Sequence, residues 1–427
     1  MKKILASIIA VVLAVSGLSV ISITANAATI FISGNYEYTV NSDDTVNIAG
    51  YKGIATDITI PSQILNKNVV KISANSFYNN STLTSVKIPN TIKVVGSMAF
   101  YGCKSLSSVT LPNTLTEIGY SAFSRTTALT TISIPKTVTK AGSNVFEDSG
   151  LKTATIENGT AVVADNLFSN AKNLTKVTIP NTVKKIGSMS FYGCKSLSSV
   201  TLPNTLTEIG YSAFNGTTAL TTITIPKTVT KAGSDVFEDS GLKTATIENG
   251  ATTVADNLFS NAKNLTKVTI PNTVKKIGSM SFYDCTKLSS VTLPNTLTSI
   301  ETSAFKNCQA MKSITIPKSV TYFGTTAVGY SDGRVIDGFI IYGYKNTKAQ
   351  TYATKNKIIF KALQEETVPV GDINNDGKID VSDVTYLQMY LSGNSSYVIK
   401  NTKAADANGD GKIDVADVTK IQTIIAS

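Results

Sequence analysis

Two twelve-residue stretches near the C-terminus hold the side chains best placed to do chemistry. The first sets Asp372, Asn374, Asp376, Asp380 and Asp383 at positions 1, 3, 5, 9 and 12, with Gly377 at position 6. The second repeats it 34 residues later, as Asp406, Asn408, Asp410, Asp414 and Asp417 around Gly411. Oxygen side chains at those positions, completed by a main-chain carbonyl at position 7, make a calcium ligand set. Position 7 is Lys378 in one loop and Lys412 in the other, so each would lend only its carbonyl. The glycine permits the sharp turn between them. Calcium suits such a set because it takes six to eight hard oxygens in loose geometry, where magnesium demands a tighter octahedron. The expectation is two calcium ions, one per loop.

What the chain lacks narrows the remaining chemistry. Its 427 residues include no His, no Trp and 4 Cys, with 39 Lys+Arg against 29 Asp+Glu for a net charge of +10. Without His there is no Ser–His or Cys–His nucleophile pair, no imidazole base and no imidazole metal ligand. Without Trp the strongest stacking platform for a sugar ring is missing. With two arginines, Arg125 and Arg334, and no stacking motif, nucleic acid is not an expected partner. A carboxylate pair could still hydrolyse a glycoside.

Each acidic loop needs an element to hold it. Val384, Leu387 and Leu391 recur as Val418, Ile421 and Ile425, one apolar stripe per following helix. Residues 371–427 carry eight Asp, five Lys and neither Glu nor Arg, with so small a core that metal should stabilise the fold. Asp rather than the EF-hand Glu at position 12, Ile379 and Ile413 at position 8, and the tandem spacing resemble the type I dockerin of cellulosomes. The resemblance covers all of 371–427 and implies a cohesin module of a scaffoldin as partner. It places the contact at the start of each loop-flanking helix: Val381, Ser382, Thr385, Gln388 and Met389, then Val415, Ala416, Thr419, Gln422 and Thr423. The cohesin subtype stays open, and Val381 and Val415 have a second reading as helix-start packing.

Upstream the chain is an array. A phenylalanine returns every 22 or 23 residues, at Phe77, Phe100, Phe123, Phe146, Phe168, Phe191, Phe214, Phe237, Phe259, Phe282 and Phe305. Residues 95–185 match 186–276 at 82 of 91 positions, a duplication laid over the shorter repeat. Within a copy, Val109, Thr110 and Leu111 alternate in, out, in as a short half-buried strand that Pro112 ends, since proline has no N–H to pair. A period of this size describes a solenoid whose coils bury their apolar faces only by stacking. The run Phe100, Cys103, Leu106, Val109, Pro112, Ile118, Gly119, Phe123 resembles the BspA-type bacterial leucine-rich repeat, and the likeness extends over roughly residues 40–363. It implies a binding protein rather than a catalyst. The expected fold is therefore a leucine-rich-repeat β-solenoid of about eleven coils with one long parallel sheet, followed by a small all-α calcium-loop module.

Boundaries follow from composition. Lys2, Lys3, an apolar run to Val20 and Ala25, Asn26, Ala27 read as a signal peptide over 1–27. After its removal no second long apolar segment remains, so the protein is expected outside the cell with no membrane span. An N-terminal cap is expected over 28–75, the repeats over 76–345, a C-terminal cap over 346–363 and a linker over 364–370. Cys285 and Cys308 fall in neighbouring coils, close enough for a disulfide, though buried free thiols are the simpler expectation.

Two surfaces could take a ligand. Outward threonines such as Thr155, Thr178, Thr224 and Thr246 form a row that suits a wet face or a polysaccharide, and lysines after the proline (Lys136, Lys184, Lys185, Lys227, Lys275, Lys276) suggest a basic stripe for an acidic polymer. The reading is a secreted, cellulosome-associated, non-catalytic binding or adhesion protein, its solenoid meeting a polysaccharide or cell-surface protein. The alternative is a dockerin-borne enzyme of plant polysaccharide catabolism. Against it, Glu157 and Glu248, which replace the recurring proline, lie four coils apart.

Overall fold

The computed structural model describes residues 29–364 and 369–427, which divide into two compact units on either side of Lys361 and Ala362. The expected signal segment and the middle of the linker lie outside the described residues.

The first unit is a solenoid with the phenylalanines as its spine. Because the repeat returns the chain to the same point, successive rings stack from Phe77 on Phe100 (centroids 4.9 Å apart) to Phe282 on Phe305 (5.0 Å), no neighbouring pair exceeding 5.8 Å. All eleven rings are sealed from solvent. Burying each is worth about 1.5–3 kcal/mol, so the ladder holds the coils in register as well as together.

The coils build two kinds of parallel ladder. In one, Thr131–Ile134, Thr153–Ile156 and Lys176–Thr178 pair in register, as do Thr222–Ile225, Thr244–Ile247 and Lys267–Thr269. Isoleucines, valines and alanines point inward and threonines outward. The expected single long sheet is here broken into three-stranded pieces. The breaks fall at coils that carry paired serines: Ser107 and Ser108, Ser198 and Ser199, Ser289 and Ser290. Serine lacks the β-branch that packs on a pleated face and competes for backbone hydrogen bonds. Beyond each pair, Val109, Val200 and Val291 are only half-buried, where Ile132, Val177 and Ile223 at the equivalent place are buried.

The second ladder stacks dipeptides such as Glu117–Ile118 on Lys140–Ala141 and Lys185–Ile186 on Glu208–Ile209. A glycine follows most of them, and there it is required by close approach: a Cβ on Gly119 would sit 2.4 Å from the Ser97 amide nitrogen, and one on Gly324 2.2 Å from that of Thr302. The coils come this near because the chain turns there without side chains between layers.

The solenoid runs beyond the phenylalanine coils, giving about 14 turns where eleven were expected. The end turns escape the repeat count because they lack its phenylalanine. At the start, Tyr36–Val40 pairs antiparallel with Val46–Tyr51, which passes parallel into Lys67–Ile72. At the far end a helix, α1 (Lys348–Lys355), packs against the strands Ile340–Gly343 and Tyr322–Phe323, and Ile359–Ala362 pairs with the first of these.

All four cysteines are free and buried. Each thiol donates to the carbonyl of the phenylalanine one coil back, at 3.0 Å for Cys103 on Phe77 and 3.2 Å for Cys308 on Phe282. Burial pushes the Cys103 and Cys308 thiols up to about 12, which leaves them protonated and unreactive.

Among the described residues the second unit holds three helices: α2 (Val381–Leu391), α3 (Thr402–Ala405) and α4 (Val415–Ile425). Its core is small, built on Ile373, Val384, Leu387, Ala405, Val418 and Ile421.

Candidate functional site

In both loops the oxygens that sequence spacing singled out curl the backbone around themselves. Asp372 accepts from the Asp376 and Gly377 amides (3.1 and 3.0 Å), and Asp406 from those of Asp410 and Gly411 (3.1 and 2.9 Å). Asn374 and Asn408 each accept from the residue two further on at 2.9 Å, and Asp376 and Asp410 do the same for Lys378 and Lys412 at 2.9 Å. The turn passes through Gly377 at φ 86° and Gly411 at φ 84°, a region closed to most side chains.

The last ligand candidates start the helices. Asp380 caps α2 by accepting from the Ser382 amide at 2.8 Å, and Asp383 answers by accepting from the Asp380 amide at 3.0 Å. Asp414 and Asp417 repeat this capping box on α4. Asp383 also takes the Ile373 and Asn374 amides (2.7 and 3.0 Å), so one side chain ties the loop's entrance to its exit. Hydrogen bonds from Ser382, helped by the Lys378 charge, hold the Asp380 carboxyl below the usual carboxylate range.

The donors are all oxygens, and three are carboxylates out of reach of water: Asp372 at 2%, Asp383 and Asp417 at 0% exposure. Among the described residues no ion pair involves this unit, so these carboxylates have N–H partners but no cation. A buried ionised carboxylate without counter-charge costs several kcal/mol, and a doubly charged cation in the loop would offset that cost. Among the described residues no three acidic side chains converge as a ready cage. Their oxygens are turned onto amides, and the expected set also draws on the Asn side chains and the position-7 carbonyls. The residues present therefore fit a calcium ion by chemistry.

The partner-facing candidates emerge on the outer side of α2 and α4. Val381 and Val415 are 67% and 70% exposed, which overturns their reading as helix-start packing. The capping aspartates fix the first turn so that Val384 and Val418, three residues on, go inward instead. Ser382, Thr385, Gln388, Ala416, Thr419, Gln422 and Thr423 are exposed and Met389 half-buried. Sequence reasoning missed that Ser382 is engaged, its hydroxyl accepting from the Asn374 side chain at 2.7 Å. It also missed the capping role of Asp380 and Asp383, although an acidic pair three apart before an apolar stripe was its signal.

On the solenoid the lysines do not make one stripe. Lys140, Lys185, Lys231 and Lys276 belong to the second ladder, where Glu117 and Glu208 alternate with them and Lys185 pairs with Glu208 at 2.8 Å. Lys136, Lys184, Lys227 and Lys275 lie outside that ladder, in the turns that precede it, and the 91-residue period separates equivalent lysines by four coils.

The profile of the BspA type leucine rich repeat region matches six copies, over residues 55–175, 161–276 and 252–333, and that of the dockerin type I domain matches residues 370–425. The chain belongs to the BspA-type leucine-rich repeat family and ends in a type I dockerin. Solved structures similar to the chain include a leucine rich cell surface protein from Faecalibacterium prausnitzii (27% identity, covering 70% of this chain and 95% of that one, TM-score 0.41). Others are leucine-rich repeat proteins from Eubacterium ventriosum (27%, 71% and 95%, 0.43) and Bacteroides ovatus (24%, 78% and 100%, 0.44). With every TM-score under 0.5, family membership rests on the repeat match. No curated protein is significantly similar to the chain. Type I dockerin domains bind calcium and dock onto cohesin modules, so the C-terminal unit is an anchoring module of cellulosome type joined to a binding repeat fold.

Proposed function

We propose that this chain is an exported, non-catalytic binding subunit that its dockerin fastens to a scaffoldin cohesin, leaving the solenoid to hold a ligand. In this reading each loop carries one calcium ion. Asp372, Asn374, Asp376, the Lys378 carbonyl, Asp380 and Asp383 hold the first, and Asp406, Asn408, Asp410, the Lys412 carbonyl, Asp414 and Asp417 the second. When bound, the ion supplies counter-charge. The chain's own residues do the rest: Asp380 and Asp383 start α2, Asp414 and Asp417 start α4, and the helices present Val381 and Val415 outward.

The observation that carries the reading is this pair of valines, apolar side chains left in water at the same place on two duplicate helices. At equivalent places on duplicate helices they offer a partner two matching apolar contacts to bury. The solenoid in turn offers long rows of threonine hydroxyls and no residue pattern for nucleophilic or imidazole chemistry.

The test is calorimetric titration of the mature protein with a cohesin panel, with calcium and then with EGTA. Calcium-dependent binding supports the anchoring role, and no binding to any cohesin overturns it. Incubation with plant polysaccharides separates the alternative: released reducing sugar would establish a hydrolase, whereas retention without turnover supports a binding subunit.

A further inference from the structure

A groove of about 400 Å³ opens at the solenoid's C-terminal end, between α1 and the strand Tyr322–Phe323. Lys348 and Lys355 line it from the helix, Tyr322 and Tyr330 from the solenoid, and Thr321 and Thr351 add hydroxyls. It has no acidic residue in its lining. Among the described residues neither lysine is ion-paired. We propose that this groove binds an acidic saccharide, with Tyr322 stacking on a sugar ring and Lys348 and Lys355 each holding a carboxylate of a uronic-acid polymer. The proposal rests on the solenoid being a binding surface and says where that surface is and what it takes.

Four observations converge on that chemistry. Lysines seven residues apart share one helix face and stand about 10 Å apart along its axis, too far to clamp one small anion and suited to two charges along a chain. Lys348 occupies the first turn of α1, where the helix dipole disfavours a cation by about 0.3–1 kcal/mol. No acidic residue sits in that turn and Thr347 makes no side-chain cap, so helix stability does not account for the lysine. Tyr322 is 51% exposed on the edge strand of its sheet, presenting a ring where Trp is absent from the whole chain. The groove floor is rigid, because Phe323 stacks on Tyr352 at 4.6 Å and Tyr330 donates to Asn356 at 2.7 Å. Hydroxyls beside a flat ring match a sugar better than an acidic peptide, which would need apolar pockets or backbone partners.

The full mature chain, in calcium just sufficient to fold the dockerin, is titrated with short oligogalacturonides, their methyl esters and an acidic peptide. Binding of the free acid but not the ester is expected. K348E/K355E should weaken it roughly tenfold or more, and Y322A should weaken it as well. K104E/K195E, with the same change in net charge on exposed lysines elsewhere, should bind as the unmodified chain does. Thermal melts confirm that each variant folds, and glutamate at position 348 favours the helix start. If K348E/K355E binds oligogalacturonide undiminished, the groove is the wrong place while the binding reading stands. If the unmodified chain takes the peptide and no saccharide, or takes none of the three probes, the proposal is overturned, while the anchoring reading stands or falls on the cohesin titration.

Discussion

At the scale of single residues, the two buried position-12 aspartates decide how loop and helix cooperate. Asp383 accepts from three amides with 0% exposure, so its removal strands N–H groups away from water. Each such loss costs about 1–3 kcal/mol. We expect D383A and D417A each to lower the melting temperature of the C-terminal unit and to remove one of two calcium-binding events in a calorimetric titration. Unchanged stoichiometry in both variants would refute the ligand assignment. Val381 and Val415 call for the opposite behaviour: V381E/V415E should leave the melt unaltered, because both side chains already lie in water, while weakening cohesin binding. These aspartates were legible from spacing alone, since oxygen at positions 1, 3, 5, 9 and 12 with glycine at 6 has few other physical uses. The exposure of the valines was not, because position N1 of a helix carries no periodic signal until the cap is fixed.

At the scale of elements, the two units owe their stability to different sources. The solenoid buries a continuous ladder of rings and aliphatic side chains, whereas the dockerin has a core of a few residues around Leu387 and Ile421 and three buried carboxylates. Chelation with EGTA should therefore unfold residues 371–427 and leave the solenoid intact, read as loss of helical circular dichroism with the strand signal retained. Protease resistance of the whole chain in EGTA would argue against it. The phenylalanine spine was readable because its period returns each ring to one place. The second ladder was not: its strands are two residues long, too short for alternation to show, and the glycine that ends most of them reveals its purpose only when the neighbouring coil is 2.2–2.6 Å from the missing Cβ. The sheet breaks were equally hidden, since a serine pair differs from the threonines beside it by one methyl group per residue.

For the whole molecule, the duplication has a mechanical consequence. Residues 186–276 form four coils whose first and last junctions are equivalent, with Lys185 followed by Ile186 and Lys276 by Ile277. Coils touch only their neighbours, so solenoid stability is close to a sum of coil and interface contributions. Deleting 186–276 joins Lys185 to Ile277 and brings the Phe168 coil onto the Phe282 coil, an interface nearly identical to the Phe168–Phe191 and Phe259–Phe282 contacts it replaces (5.5 and 5.4 Å). The shortened chain should fold, keep all its surviving cysteines buried against thiol reagents and unfold cooperatively within a few degrees of the parent. A deletion of about half a single coil would instead join unlike positions of the repeat, set a phenylalanine against a strand and destroy the register. If the 91-residue deletion also fails to fold, stability is not local to neighbouring coils, and the end turns rather than the repeats must govern it.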